Sequence, residues 1–376
     1  MKPYILIILL STIFLTQARA QVLEKTIEKF KLFKNLSYTE TKIEKDLFSE
    51  DLFYDTIQAI FDFSHTESLY KIYGNKIGLW NHGSKIIRFD LEDKTYKFFS
   101  AKEFTFGMNG MPLPQVIQYL EKDLQENLTV QKLKDTVLFG KQCYQYQILK
   151  SDSLEKDKSV YSKKKIVIDK ETYLPAFYRW ESQGFIDGTD ILIKVLMEHT
   201  YQKYKIDEEK ITDLATLTIP SDFSLEVPKE RLSLLERGTI APELALLDSL
   251  GSSYKLAKQK GKVILLNFST VGCPHSIEAI EALNDIHKSF RDKDFEIVTI
   301  FAHDKEDAIK EMNKRFHVKF PYFKSPENVK VNLDNYGVDS YPTFYILDKN
   351  GAILQGFEGY SKSIGQAIKT FIKKNL

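Results

Sequence analysis

The stretch KVILLNFSTVGCPHSIEAIEALNDIHKSF, residues 262–290, decides the fold of the C-terminal part of the chain. It opens with a nearly continuous apolar run, 262–268, which is typical of a strand buried on both faces. A turn follows, and apolar residues then recur at helical spacing at Ile277, Ile280, Leu283, Ile286 and Phe290. The stretch therefore predicts a buried strand that leads through a turn into an amphipathic helix.

Strands and helices continue to alternate after this stretch. The patterns predict a strand over 295–302, a helix over 304–316, strands over 343–347 and 352–357, and a helix over 361–374. Such alternation favours an α/β domain, with a central sheet that carries helices on both faces.

A cysteine stands where the first strand gives way to the first helix, in the sequence Cys273-Pro274-His275-Ser276. Unpaired backbone N–H groups and the positive end of the helix dipole favour a thiolate at such a position. A charge or hydrogen bond from His275 can stabilise the same thiolate. We therefore expect Cys273 to be a nucleophile, and the alternative is a buried structural cysteine beside an incidental surface histidine.

Three further blocks accompany the cysteine motif: Gly238–Pro242, Lys260–Phe268 and Tyr341–Gly351. Together the four blocks resemble the TlpA/redoxin branch of the thioredoxin superfamily, over residues 236–376. The resemblance implies a thioredoxin fold and thiol–disulfide exchange in the periplasm. It also implies that Cys273 is the attacking cysteine and that Pro342 is a cis-proline beside it, where substrate backbone pairs.

The motif departs from the family at two positions. The family's usual Cys-x-x-Cys is here Cys-x-x-Ser, so Ser276 stands where the resolving thiol belongs, and Gly272 replaces a common Trp. With one sulfur, the motif can form a mixed disulfide but cannot close an internal one. Ser276 can still offer a hydroxyl hydrogen bond.

Three interpretations of the single thiol stay open. A third thiol can release Cys273, which would make the protein a monothiol reductase or isomerase-like enzyme. Cys143 can be a distant resolving thiol if the two sulfurs approach closely enough. Otherwise catalysis has been lost. The protein then binds a hydrophobic ligand or partner in its N-terminal domain, and a peptide in a groove of its thioredoxin-like domain.

The N-terminal half, residues 21–227, has a different pattern. One short amphipathic helix is followed by many aromatic and β-branched runs, with a Pro-led helix at 116–124. This predicts an α+β domain with a curved antiparallel sheet. The order of elements resembles the LolA-like periplasmic carriers, which implies an apolar pocket. A charged connector, 228–237, is expected before the thioredoxin-like domain, 238–376.

The first 20 residues read as a secretory signal peptide. A lysine and a short apolar run precede Ala18-Arg19-Ala20, so cleavage is expected before Gln21. An uncleaved anchor is the alternative, but the run is shorter than the about 20 apolar residues of a spanning helix. We therefore expect an exported, periplasmic protein without a transmembrane segment after cleavage, which acts on thiols and disulfides of other exported proteins.

Composition narrows the possible functions. The 376 residues carry 53 Lys+Arg and 52 Asp+Glu, so no overall charge attracts nucleic acid. Two cysteines exclude a disulfide-rich scaffold and a cysteine-built zinc site. The seven histidines show no paired ligand spacing, so we expect neither a metal nor a cofactor.

Overall fold

The computed structural model describes residues 21–46, 51–83, 85–100, 111–186, 191–208, 214–216, 218–227, 231–325 and 333–376. Contacts between residues divide them into two compact units. The first consists of the described residues up to Val227, and the second of those within 231–376. The predicted signal peptide, residues 1–20, lies outside the described residues. The domain limits inferred from the sequence remain predictions.

The first unit pairs one large sheet with helices α1 (21–31) and α2 (Leu113–Gln125). Its strands are β1 Asn35–Lys45, β2 Leu52–Asp62, β3 Leu69–Tyr73, β4 Ile77–Asn81, β5 Lys85–Asp90, β6 Thr95–Ser100, β7 Thr129–Lys132, β8 Thr136–Leu138, β9 Lys141–Glu155, β10 Lys158–Asp169, β11 Pro175–Phe185, β12 Leu192–Ile206 and β13 Ser224–Leu225. The order is β13-β6-β5-β4-β3-β2-β1-β12-β11-β10-β9-β7, with β8 beside β9. Among the described strands of this sheet, all neighbours are antiparallel except β13 and β6.

One face of this sheet packs against the helices. Every second residue of β1 from Leu36 to Lys42 is buried, as expected for a strand with one covered face. Helix α2 buries the stripe Leu113, Val116, Ile117 and Leu120, and the Leu113 amide donates to the Tyr38 hydroxyl at 2.9 Å. The predicted α+β domain with a curved sheet is confirmed, and the likeness to LolA-like carriers remains a prediction.

The second unit has a seven-stranded sheet in the order β15-β14-β18-β17-β16-β19-β20. The strands are β14 Ala245–Leu247, β15 Ser253–Lys255, β16 Val263–Ser269, β17 Phe295–Phe301, β18 Tyr322–Lys324, β19 Thr343–Leu347 and β20 Ile353–Glu358. The helices are a 3-10 turn at Leu256–Gln259, then α3 Pro274–Phe290, α4 Glu306–Arg315 and α5 Lys362–Asn375.

Strand β16 lies at the centre of the second unit. It is parallel to β17 and antiparallel to β19, and all of its residues are buried. A fully buried strand needs cover on both faces of the sheet, which explains the unbroken apolar run of the sequence. The predicted thioredoxin-like architecture is confirmed for this unit.

Residues 231–235, within the predicted connector, belong to the second unit and are bound to its later residues. The Arg231 guanidinium lies 2.5 Å from Glu358, and the Leu232 amide donates to Asp339. The Leu235 amide donates to the Tyr345 hydroxyl at 3.1 Å. None of the helices in the described ranges is both long enough and apolar enough to cross a membrane.

Candidate active site

Cys273 lies where β16 gives way to α3. It is the N-cap residue of the helix, with extended backbone (φ −100°, ψ 117°), and Pro274 follows in the first turn. Proline suits this turn because its missing N–H would have no partner there. Cys273 is partly exposed, whereas the strand before it is buried throughout. The local sequence thus presents a thiol at a helix N-terminus within reach of solvent.

The Cys273 side chain contacts the loop that ends in Pro342. Its Sγ donates to the carbonyl oxygen of Tyr341 at 3.3 Å, and the Tyr341–Pro342 peptide bond is cis. The loop is fixed on its other side, because the Gly359 amide donates to the Pro342 carbonyl at 2.8 Å. Two of the four site residues suggested by the sequence, Cys273 and Pro342, therefore lie on adjoining loops.

The other two site residues have different surroundings. His275 is exposed and its Nδ1 lies 3.4 Å from Oε2 of Glu278; within the described residues no hydrogen bond joins it to Cys273. Ser276 is only 4% exposed and lies in the first turn of α3. Its hydroxyl oxygen is buried without a hydrogen-bond partner among the described residues.

Asp304 is a site residue that the sequence analysis missed. Its Oδ1 accepts the Val271 amide at 3.1 Å and the Thr270 hydroxyl at 3.0 Å, so it holds the turn before Cys273. Burial, and then the charge of Asp304, raises the pKa of Tyr341 to about 12. The position of Asp304 just after β17 could have indicated this contact. Strands β16 and β17 are parallel, so the residues that follow them lie at the same edge of the sheet.

Cys143 has the opposite environment. It lies on β9 in the first unit, is 0% exposed, and its Sγ donates to the Lys141 carbonyl at 3.4 Å. Burial, and then the negative charge of Asp169, raises the pKa of this thiol. Both cysteines are free. Cys143 therefore behaves as a small core residue while the first unit is closed.

The described residues contain no group of three or more His, Cys, Asp and Glu side chains placed to hold a metal ion. The candidate site thus consists of one partly exposed thiol, a buried hydroxyl, and two loops joined through the Tyr341 carbonyl.

Comparison with known proteins identifies the family of the second unit. A model of the AhpC/TSA family matches residues 237–355. The thioredoxin-like protein YneN of Bacillus subtilis is 31% identical over 121 residues, which covers 32% of this chain and 69% of that protein. The chain belongs to the redoxin branch of the thioredoxin-like proteins. We call residues 231–376 the redoxin unit.

Other relatives match the redoxin unit as well. The thiol-disulfide oxidoreductase ResA of Bacillus thuringiensis subsp. konkukian is 28% identical over 142 residues, covering 37% of this chain and 79% of that protein. A crystal structure of a putative thiol:disulfide interchange protein DsbE from Chlorobium tepidum is 24% identical with a TM-score of 0.35, covering 38% of this chain and 99% of that one.

Proposed function

We propose that this protein carries out thiol–disulfide exchange on exported proteins through Cys273 alone. The observation that carries the proposal is the placement of the partly exposed residue Cys273 at the N-terminus of α3, with its Sγ 3.3 Å from the Tyr341 carbonyl beside the cis-proline. The names of relatives such as ResA support the same chemistry. Export to the periplasm rests on the leader sequence, residues 1–20.

The reaction needs two exchange steps. In the first, the Cys273 thiolate attacks one sulfur of a substrate disulfide; that S–S bond breaks, a mixed disulfide forms, and the other substrate sulfur leaves as a thiolate. In the second, a third thiol attacks the mixed disulfide, Cys273 is released, and the new disulfide joins the third thiol to the substrate, or closes within the substrate when the thiol is its own. Closure within the substrate is isomerisation. Reduction is complete only when a further thiol attacks the disulfide between the third thiol and the substrate, which releases the substrate sulfur as a thiolate and joins the two attacking thiols.

Each side chain of the site has a role in these steps. The N-terminus of α3 supplies unpaired N–H groups to the thiolate, and the buried Ser276 hydroxyl is available as a further donor. His275 lies at the exposed rim, where it meets an incoming substrate. The backbone around Pro342 receives an extended substrate segment, as the family resemblance implies.

Capture of mixed disulfides tests the proposal. The full chain is mixed with a disulfide-bonded peptide without added thiol, and adducts are counted by mass spectrometry. We expect an adduct at Cys273, its loss in Cys273→Ser, and its persistence in the matched control Cys143→Ser. An adduct that survives in Cys273→Ser would refute the role of this thiol.

The second candidate function is binding without redox chemistry, and the serine at position 276 favours it. In that case the redoxin unit holds a peptide by the Pro342 loop, and the first unit holds a hydrophobic ligand. Peptide binding that is equal in the wild type and in Cys273→Ser, with no adduct in either, would support this function over exchange.

A further inference from the structure

Glu358, the last residue of β20, and Gly359 after it hold both chain neighbours of Tyr341. Oε1 of Glu358 accepts the Ser340 hydroxyl at 2.8 Å. The Gly359 amide donates to the Pro342 carbonyl at 2.8 Å. Because one neighbour is bound on each side, the end of a single strand fixes the place of the Tyr341 carbonyl.

Ser340 is also bound through its main chain. The Thr343 hydroxyl donates to the Ser340 carbonyl at 2.8 Å, and Thr343 is 0% exposed. In the register of β19 and β20, Thr343 lies directly opposite Glu358. Ser340 is thus held by its side chain to β20 and by its main chain to β19, the strand that follows the Tyr341–Pro342 loop.

The connector lies against the residues that lead into this loop. The Leu232 amide donates to Asp339. A Cβ atom on Gly337, where φ is +60°, would lie 2.0 Å from the carbonyl oxygen of Ser233, so a side chain at 337 would displace the connector backbone. The connector therefore packs directly on the segment before Tyr341.

The connector also reaches Glu358. The Arg231 guanidinium lies 2.5 Å from Oε1 of Glu358, the same oxygen that accepts the Ser340 hydroxyl. Hydrogen bonds from Arg231, and then from Ser340, lower the pKa of Glu358, so it is a carboxylate at neutral pH. An ionised acceptor makes a stronger hydrogen bond than a neutral one. Arg231 itself is largely exposed, and its ion pair alone contributes little free energy.

The place of the Tyr341 carbonyl bears on two parts of the exchange step. Backbone hydrogen bonds weaken steeply when their distance or angle departs from the optimum, so a displaced carbonyl pairs less well with an extended peptide. The same carbonyl lies 3.3 Å from Sγ of Cys273, so it also sets how a docked disulfide faces the thiol.

We propose that Glu358 is a positioning residue for substrate docking, which acts through Ser340 to hold the Tyr341 carbonyl where the backbone of an extended peptide pairs with it. Arg231 assists by binding the same carboxylate oxygen. This inference rests on the proposed function of Cys273 and adds a residue outside the cysteine motif that sets the affinity for peptide substrates.

Two disulfides with the same leaving thiol test the inference. One is an extended peptide whose single cysteine is joined to 2-mercaptoethanol, and the other is bis(2-hydroxyethyl) disulfide, which has no peptide backbone. Total adduct at Cys273 of the full chain is followed by mass spectrometry over a range of concentrations. In Glu358→Ala we expect the peptide concentration for half-maximal rate to rise about three- to tenfold, as loss of one hydrogen bond implies. The rate with the small disulfide should stay within about twofold of the wild type, because that disulfide does not use the docking backbone.

Conservative variants separate positioning from general loss of structure. Glu358→Gln keeps an oxygen that accepts the Ser340 hydroxyl and should return the half-maximal concentration to within about twofold of the wild type. Arg231→Gln leaves that bond in place and should act more weakly than Glu358→Ala. Gln355→Ala, at an exposed position of the same strand, is the matched control and should leave both rates unchanged.

Ser340→Ala removes the same hydrogen bond from its other end. It should raise the half-maximal peptide concentration as Glu358→Ala does, and the double variant should add little to either, because the two side chains act through one contact. Ser340→Ala also carries the test should Glu358→Ala fail to fold.

A peptide that cannot exchange separates this inference from the proposed function. The same peptide with serine in place of its cysteine is titrated into the full chain by calorimetry, and we expect Glu358→Ala to weaken its binding by about three- to tenfold. That result, with no adduct at Cys273 in the wild type, would refute exchange and retain the positioning role.

Three results would overturn the positioning role. One is equal peptide binding and equal half-maximal concentrations in Glu358→Ala, Ser340→Ala and the wild type. Another is an equal slowing of the peptide and the small disulfide, which would indicate general damage to the site. The third is a wild-type chain that neither binds the serine peptide nor forms an adduct, which would overturn the proposed function as well.

Discussion

The thiol of Cys273 donates to the carbonyl oxygen of Tyr341 at 3.3 Å, so a helix N-terminus and the loop before β19 are joined by one side chain. In the proposed function, loss of the thiol proton removes this donor and leaves the Tyr341 carbonyl free to accept a backbone N–H from a substrate. The proposed nucleophile and the proposed docking backbone are thus coupled through one hydrogen bond.

A second thiol at position 276 should shorten the life of the adduct. In Ser276→Cys, the new thiol lies in the first turn of α3, three residues after Cys273, and can attack the mixed disulfide from within the chain. We expect the adduct to decay at least about tenfold faster than in the wild type, because an intramolecular thiol has a high effective concentration. Mass spectrometry of the adduct over time, without added thiol, measures this.

Ser276→Ala is the control for that experiment, since it removes the buried hydroxyl without adding a thiol. Its adduct should persist. Equal adduct lifetimes in Ser276→Cys and the wild type would show that position 276 cannot reach the mixed disulfide.

Loss of Asp304 should loosen the turn before the nucleophile. In Asp304→Ala the Val271 amide and the Thr270 hydroxyl lose their shared acceptor. We expect the free energy of unfolding in urea to fall by about 1–3 kcal/mol and the rate of adduct formation to fall with it. Asp304→Asn keeps an acceptor oxygen and should lose less. Adduct formation at the wild-type rate in Asp304→Ala would exclude a positioning role.

Alkylation should separate the two cysteines. Burial and the raised pKa of Cys143 both reduce its reactivity, whereas Cys273 is partly exposed. At neutral pH we expect iodoacetamide to modify Cys273 in the native chain and Cys143 only after denaturation, as peptide mapping would show. Rapid labelling of Cys143 in the native chain would instead point to frequent opening of the first unit.

The contact between Arg231 and Glu358 should make stability depend on pH. Hydrogen bonds from Arg231, and then from Ser340, lower the pKa of Glu358. The folded chain therefore holds this carboxylate ionised more readily than the unfolded chain does. Its contribution is complete above the unfolded pKa of about 4.3 and is lost as the pH falls through the lower, folded value.

Thermal unfolding from about pH 6 to about pH 3 tests this contribution. We expect the unfolding midpoint of the wild type to fall more steeply with acid than that of Arg231→Gln. Arg291→Gln is the matched control, because Arg291 contacts only its exposed neighbour Asp292 among the ion pairs of the described residues. Parallel pH profiles for Arg231→Gln and the wild type would remove any role of this pair.

The sequence predicted features that depend on local pattern. The buried strand β16, the helix α3 and the position of Cys273 between them follow from periodicity and from the turn at Gly272. The contact of Cys273 with the Tyr341–Pro342 loop was predicted from family resemblance. Local pattern could not predict it, because Cys273 and Tyr341 lie 68 positions apart.

Features that depend on side-chain direction could not be predicted. His275 points to Glu278, one helical turn away, and a histidine two residues after a cysteine gives no indication of which way its ring turns. The contacts of Asp304 depend on tertiary packing, because Thr270 and Val271 lie 34 and 33 positions earlier in the chain. The buried contact between Glu40 on β1 and His199 on β12 depends on strand register. In a strand, a one-residue change of register moves every side chain to the other face, and sequence alone does not fix that register.

A redoxin unit with a serine at position 276 cannot store a pair of electrons. Under the proposed function, reduction takes its thiols from other molecules, so its velocity should depend on the concentrations of both the disulfide and the releasing thiol, whereas isomerisation uses the substrate's own thiol. The direction of thiol–disulfide exchange by such a protein is then set by the thiols and disulfides around it and not by a reduction potential of its own.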